Sequence, residues 1–147
     1  YSSVLSLAPL ANCNQGATST FTIVQDECDG PTYFSNRIGV WIDYNQNASF
    51  TDPGEEIYLE TTSTIGPRTV TGVFTVPFTA IMGTTVMRIV CREGGTPSPC
   101  GTYPYGETED YLIRQGDMDV DGFNVLDEWQ KSGRATPQEF DIVFCDM

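Results

Sequence analysis

Asp117-Met-Asp119-Val-Asp121-Gly122-Phe123-Asn124-Val125-Leu126-Asp127-Glu128 is the stretch of this chain whose residue types and spacing carry the clearest chemistry. It reads D-x-D-x-D-G-x5-E, the spacing of an EF-hand-type calcium loop. Ca²⁺ is a hard cation that takes about six to eight oxygens at roughly 2.3–2.6 Å. Carboxylates from Asp117, Asp119 and Asp121 converge on one point only if the backbone turns sharply. Gly122, with no Cβ to forbid positive φ, permits that turn. The Phe123 carbonyl is the next expected ligand, and Glu128 closes the shell with both oxygens. The alternative is a solvated acidic turn.

A second oxygen-rich stretch runs from Asp43 to Glu55. Asp43, Asn45, Asn47 and Asp52 alternate with other residues at the mouth of a strand, and Glu55 follows. Either these oxygens hold a second calcium ion, or they form an Asx-rich turn in which side chains satisfy their own backbone. Asn47-Ala48-Ser49 is also an N-x-S glycan acceptor. A glycan on Asn47 and a metal on Asn47 exclude one another.

Composition limits the remaining chemistry. The 147 residues carry 20 acids against 7 bases, a formal net charge of −13. That balance opposes nucleic-acid binding, which needs basic side chains against phosphate, and opposes docking on anionic membranes. Eight of the acids fall between Glu107 and Glu128, where a divalent cation would relieve their repulsion. There is no histidine, which removes Ser-His and Cys-His catalysis and His-ligated zinc. No apolar run reaches the roughly 20 residues that span a bilayer. Paired carboxylates acting as in glycosidases are the one catalytic option left, and the acids here sit in loop and strand-turn spacing instead, so a non-enzyme is expected. A start at Tyr1 suggests a processed form or a fragment.

Five cysteines, Cys13, Cys28, Cys91, Cys100 and Cys145, include no C-x-x-C pair, so a zinc ribbon is not expected. Few lysines and abundant Ser, Thr and Gly suit a secreted, extracellular setting in which cysteines pair. Cys91 and Cys100 flank a turn-rich loop, and a disulfide between them is expected. One of the other three is then left over, either as a buried thiol or as an intermolecular link.

The elements that must position these groups read as short strands: Val4–Leu10, Thr20–Val24, Ile38–Tyr44, Glu56–Glu60, Thr69–Val76, Thr85–Arg92, Asp110–Arg114 and Phe140–Phe144. Ile38, Val40 and Ile42 alternate with Gly39, Trp41 and Asp43. Met87, Ile89 and Cys91 oppose Val86, Arg88 and Val90, while Val70, Phe74 and Val76 share a face. Period-two alternation broken by Gly, Pro, Asn and Asp predicts an all-β protein, an antiparallel β-sandwich with a C-terminal calcium loop and one short helix. That helix covers Leu126, Trp129 and Gln130 and stops at Gly133. Together, loop and helix resemble the strand–loop–helix half of a dockerin-type calcium repeat.

A family resemblance then emerges. The run W-I-D-Y-N-Q-N-x-x-F-x-D-x-G-E at Trp41–Glu55 opens it. Phe74-Thr-Val-Pro77, Gly83-Thr-Thr-Val-Met87-Arg88, Pro97-Ser-Pro-Cys100 and Tyr105-Gly106-Glu107-Thr108-Glu109-Asp110-Tyr111 follow in order. Across about Thr20–Ile113 the chain resembles a GEVED domain, a β-sandwich module of secreted, often multidomain bacterial surface proteins that implies no catalysis. Thr108 stands where the signature has valine, and the Asp43 loop has Asn47-Ala48 where an Asp-Gly core would stand. The expected division is a GEVED-like sandwich over 1–115 and a calcium loop, short helix and terminal strand over 116–147. Glu107, Glu109 and Asp110 need partners, and Arg88 on the neighbouring run is the natural ion-pair candidate.

Two binding functions fit. One is a calcium-stabilised extracellular structural or adhesive module that associates with itself or with other extracellular proteins, in its sharpest version the subunit of a surface fibre built by strand exchange. The other is a carbohydrate-binding accessory module whose Trp41, Tyr44, Tyr33, Tyr103 and Tyr105 stack on glycans. Calcium is the only cofactor expected.

Overall fold

The computed structural model of the chain describes residues 2–3, 11–27, 32–116 and 139–144. Among these residues the secondary structure is all strand: β1 (Ser2–Ser3), β2 (Ala11–Asn14), β3 (Thr18–Glu27), β4 (Ser35–Ile42), β5 (Glu56–Leu59), β6 (Thr64–Ile65), β7 (Arg68–Thr75), β8 (Gly83–Glu93), β9 (Gly106–Gly116) and β10 (Glu139–Phe144). The expected calcium loop Asp117–Glu128, the helix after it and the run Val4–Leu10 lie outside the described residues. No helix of the described residues is long and apolar enough to cross a membrane.

A seven-stranded sheet runs β1-β9-β8-β4-β5, with β2 also on β9 and β6 also on β4; a three-stranded sheet runs β10-β3-β7. The alternation explains why these runs pair. Ile38, Val40 and Ile42 of β4, Met87, Ile89 and Cys91 of β8, and Tyr111 and Ile113 of β9 face inward. They meet Phe21 and Ile23 of β3 and Val70 and Phe74 of β7 in one buried cluster. Burying these side chains is the main favourable term holding the two sheets together, about 1.5–3 kcal/mol for each fully covered large apolar group. The sheets curl about this core into a half-barrel.

The opposite face of the large sheet is covered as well. Trp41, Phe50 and Val90 form a second buried cluster with Leu59, Val86 and Tyr103 packed on it. β4 is therefore buried on both faces. The loop after β4, the one holding Phe50, and the loop carrying Tyr103 act as lids on that side.

Pairing is antiparallel for β4 with β5 and β8, for β8 with β9 and for β3 with β7. It is parallel for β1 and β2 on β9 and for β10 on β3, a departure from the purely antiparallel expectation. A strand joined to its neighbour by a long connection takes either direction, antiparallel for β8 on β4 and parallel for these terminal strands. The strand-like run near the C-terminus pairs at home: Glu139–Phe144 lies in register with Thr22–Glu27 of the same chain.

The expected Cys91–Cys100 disulfide is not seen. Cys91 belongs to the inward-facing set of β8 and is 3 % exposed in the core, while Cys100 is exposed on the loop beyond. A bridge needs the two Cβ vectors to converge, and one of these points into the barrel. Cys13 is a buried thiol. Burial pushes its pKa up to about 11, partly countered by a hydrogen bond with Ser19, so it is a packing residue and not a nucleophile. Cys28 and Cys145 lie outside the described residues.

Candidate functional site

The strongest polar constellation is built on the first half of β9. Gly106 opens that strand at φ 127°, and a Cβ there would come within 2.2 Å of the Cys91 carbonyl oxygen. Only glycine lets β9 approach β8 this closely in that conformation. The strand then alternates. Thr108 and Asp110 face the outer side of the sheet with Arg88 and Val90 of β8; Glu107, Glu109 and Tyr111 face the inner side opposite Cys91, Ile89 and Met87.

Arg88 and Asp110 are direct cross-strand partners. Arg88 Nε donates to Asp110 Oδ1 at 2.7 Å, and Nη2 donates to Oδ2 at 2.6 Å. Side-chain exposure is 19 % for the arginine and 4 % for the aspartate, so this is a bidentate pair largely shielded from water. Arg88 Nη1 also donates to the Pro99 carbonyl at 2.8 Å, and the guanidinium lies 4.5 Å from the centroid of the Phe50 ring. One arginine thus ties β8 to β9 and pins both covering loops. The arginine expected from sequence to pair with these acids does so, and it selects Asp110.

The neighbouring groups are consumed in similar ways. Tyr103 Oη and Thr108 Oγ1 share a hydrogen bond, and the Arg92 guanidinium sits 5.8 Å from the Tyr103 ring centroid. Tyr111 Oη donates to Glu109 Oε2. Burial holds the Glu109 carboxyl above its usual range; the Tyr111 hydroxyl acts against this and nearby Glu107 adds to it.

The Asp43–Glu55 loop is a second polar centre, at the C-terminal end of β4. Asp43 is buried. Its Oδ1 accepts the Asn47 N–H at 3.1 Å, and its Oδ2 accepts the Ala48 N–H at 2.9 Å. Asn45 Oδ1 also accepts from Asn47 N–H at 3.1 Å. Asn47 Oδ1 accepts from Ser49 N–H, and Asn47 Nδ2 donates to Asp52 Oδ2 at 2.9 Å. Glu55 is 2 % exposed; its carboxylate accepts the Tyr44 N–H at 3.1 Å and the Asp52 N–H at 3.3 Å. Those bonds favour its charged form, but burial outweighs them and raises its pKa. Gln46 and Ala48 take φ values of 55° and 64°, which the surrounding Asx bonds compensate. This is the geometry of an Asx-rich turn. Among the described residues no three acidic or thiol groups converge as a metal site. Asn47 is exposed at the tip of the loop.

Sequence reasoning missed a third network. Arg68 donates to both Glu60 oxygens at 2.6 and 2.7 Å and to Asn36 Oδ1 at 2.9 Å. Glu60 Oε2 also accepts the Ile38 N–H at 2.7 Å, anchoring β4 to the start of the β5–β7 connection. The available signal was an acid and a base flanking the turn-rich stretch 61–67.

The aromatic residues do not form one stacking platform. Trp41 and Tyr44 are 2 % and 5 % exposed and belong to different clusters on opposite faces of the sheet. Tyr33 and Tyr103 are half-buried, and Tyr105 stands exposed.

Compared with known proteins, residues 37–114 match the GEVED domain. That span contains Arg88, the Asp43–Glu55 loop and the Gly106–Asp110 run. No curated protein matches the chain.

Proposed function

This chain belongs to the GEVED domain family, and from that premise we propose that it is a non-catalytic, calcium-stabilised structural module of the extracellular space. Its body is a sandwich-type pair of sheets on one core, and it associates with copies of itself or with other extracellular proteins. The observation that carries this reading is what the signature residues do. Gly106, Thr108, Glu109 and Asp110 are spent on closing β9 against β8 and on Arg88, Tyr103 and Tyr111. A carboxylate held in a bidentate pair at 4 % exposure is a clamp.

Calcium enters through the Asp117–Glu128 spacing. Asp117, Asp119, Asp121 and Glu128 would supply carboxylates and Phe123 a carbonyl, and the ion would offset part of the −13 charge. Asn47 is read as a glycan acceptor, since it is exposed at the tip of its loop. A ligand that binds only the folded state must raise the melting temperature. At a free calcium concentration 100-fold above Kd the gain is about 2.7 kcal/mol. For a chain of this length that is on the order of 5–10 °C. Melting in calcium and in EGTA tests the reading; coincident curves overturn it.

A further inference from the structure

We propose that Arg37 and Arg92 form a binding site for a ligand's carboxylate group on the outer face of the large sheet. The two residues are direct cross-strand partners, near the start of β4 and the end of β8. Their neighbours Ile38 and Cys91 point into the core, so strand alternation turns both arginines to the other face. Like charges set directly opposite one another repel, yet these two converge on a single residue. Arg37 Nη1 donates to Thr96 Oγ1 at 2.9 Å, and Arg92 Nη1 donates to the Thr96 carbonyl at 2.9 Å. Neutral oxygens thus hold both guanidiniums. The ion pairs seen among the described residues belong instead to Arg68 with Glu60 and to Arg88 with Asp110. The acids nearest in register fall on the inner side: Glu107 lies opposite Cys91, and Glu93 lies opposite the buried Asn36.

Both arginines are built into the surface. Their Nε atoms are shut off from water and have no hydrogen-bond partner among the described residues. A charge drawn out of water is costly unless a counter-charge compensates. The Tyr103 ring centroid lies 5.8 Å from the Arg92 guanidinium. A Cβ on Gly95 would come within 2.9 Å of that guanidinium's carbon, so the turn after β8 seats directly against it. The two arginines are half-buried while Thr96, which they share, is exposed; a ligand reaches them from that side. Planar forks with donors to spare suit the two oxygens of a carboxylate, and Arg68 and Arg88 already hold carboxylates through two nitrogens or two oxygens in this chain. A dianion such as phosphate would meet the field of a −13 chain with twice the charge, which favours the singly charged group. One carboxylate between the two guanidiniums also relieves their mutual repulsion.

The test is a titration of the full chain in EGTA, at constant ionic strength, read on the arginine Nε signals by nuclear magnetic resonance. The probes are acetate, galacturonate, a capped aspartate residue and inorganic phosphate. Saturable shifts at Arg37 and Arg92 are expected with the carboxylates, with binding about tenfold weaker in Arg37→Gln and in Arg92→Gln. Arg114, exposed at the far end of the same sheet, is the control, and Arg114→Gln is expected to leave binding unchanged. Galacturonate bound more tightly than capped aspartate makes an acidic sugar the source of the carboxylate; the reverse makes it an acidic peptide, and equal affinity makes the carboxylate all that is recognised. Each of these upholds the site. No saturable shift with any carboxylate overturns the proposal, and the wild-type titration decides this even where a variant fails to fold. Unchanged binding in both glutamine variants overturns it too, as does equal weakening in Arg114→Gln or phosphate bound more tightly than every carboxylate.

Discussion

Replacing Arg88 with methionine isolates what the signature aspartate does. Methionine keeps an unbranched apolar stem against Phe50 but removes the donors that hold Asp110 at 2.7 and 2.6 Å and the Pro99 carbonyl at 2.8 Å. The Asp110 side chain, 4 % exposed, is then a charge without its counter-ion and nearly without water. Stranding one partner of a buried pair costs about 3–5 kcal/mol, whereas an exposed pair is worth about 0–1 kcal/mol. The 19 % exposure of the arginine moves the expected loss toward the lower end, about 3 kcal/mol. For a protein of this size that is a fall on the order of 10 °C and a large share of a typical total stability. Urea unfolding in EGTA reads it as a lower midpoint at constant slope. Arg88→Lys restores charge without the fork and should fall between. The double variant Arg88→Met/Asp110→Leu removes the stranded charge and should recover most of the loss. A loss below about 1 kcal/mol in Arg88→Met, on the scale of an exposed pair, or a double variant no better than the single, would refute the clamp.

Two further outcomes follow from the same structure. Burial raises the Glu109 pKa, so the folded chain takes up a proton there before the unfolded chain does. Lowering the pH from neutrality toward the usual carboxylate range should therefore stabilise the fold through this group, and Glu109→Gln should flatten that part of the stability–pH curve; an unchanged slope would contradict the burial argument. Asp43→Ala removes the acceptor for the Asn47 and Ala48 N–H groups and should cost about 2 kcal/mol. That loss should be equal in calcium and in EGTA when measured by chemical denaturation; a loss confined to calcium-loaded protein would make the loop a metal site.

Much of the fold was legible because period-two alternation is a direct consequence of strand geometry. Met87, Ile89 and Cys91 were assigned to one face and occupy the core together. The same assignment turns Cys91 toward the core and away from the loop that carries Cys100, and no bridge between them is seen. Trp41 and Tyr44 are both buried, and what covers the outer face over Trp41 is not written locally. Parallel pairing of the terminal strands was not legible, for no turn residue records a long connection. Arg88–Asp110 could be anticipated from one base near a run of acids, yet the selection of Asp110 over Glu107 and Glu109 follows from cross-strand register. The Asp43–Glu55 stretch has the composition of both a cation loop and an Asx turn. What separates them is whether backbone N–H groups or an ion take the oxygens, and composition does not encode that.

The most direct test of the account is calorimetric titration of calcium into chelator-treated protein, wild type beside Glu128→Gln. One ion per chain with measurable heat, lost in the variant and retained in Asp43→Ala, is the expected result. No heat in the wild type, or the same heat after Glu128→Gln, would contradict a calcium-stabilised module.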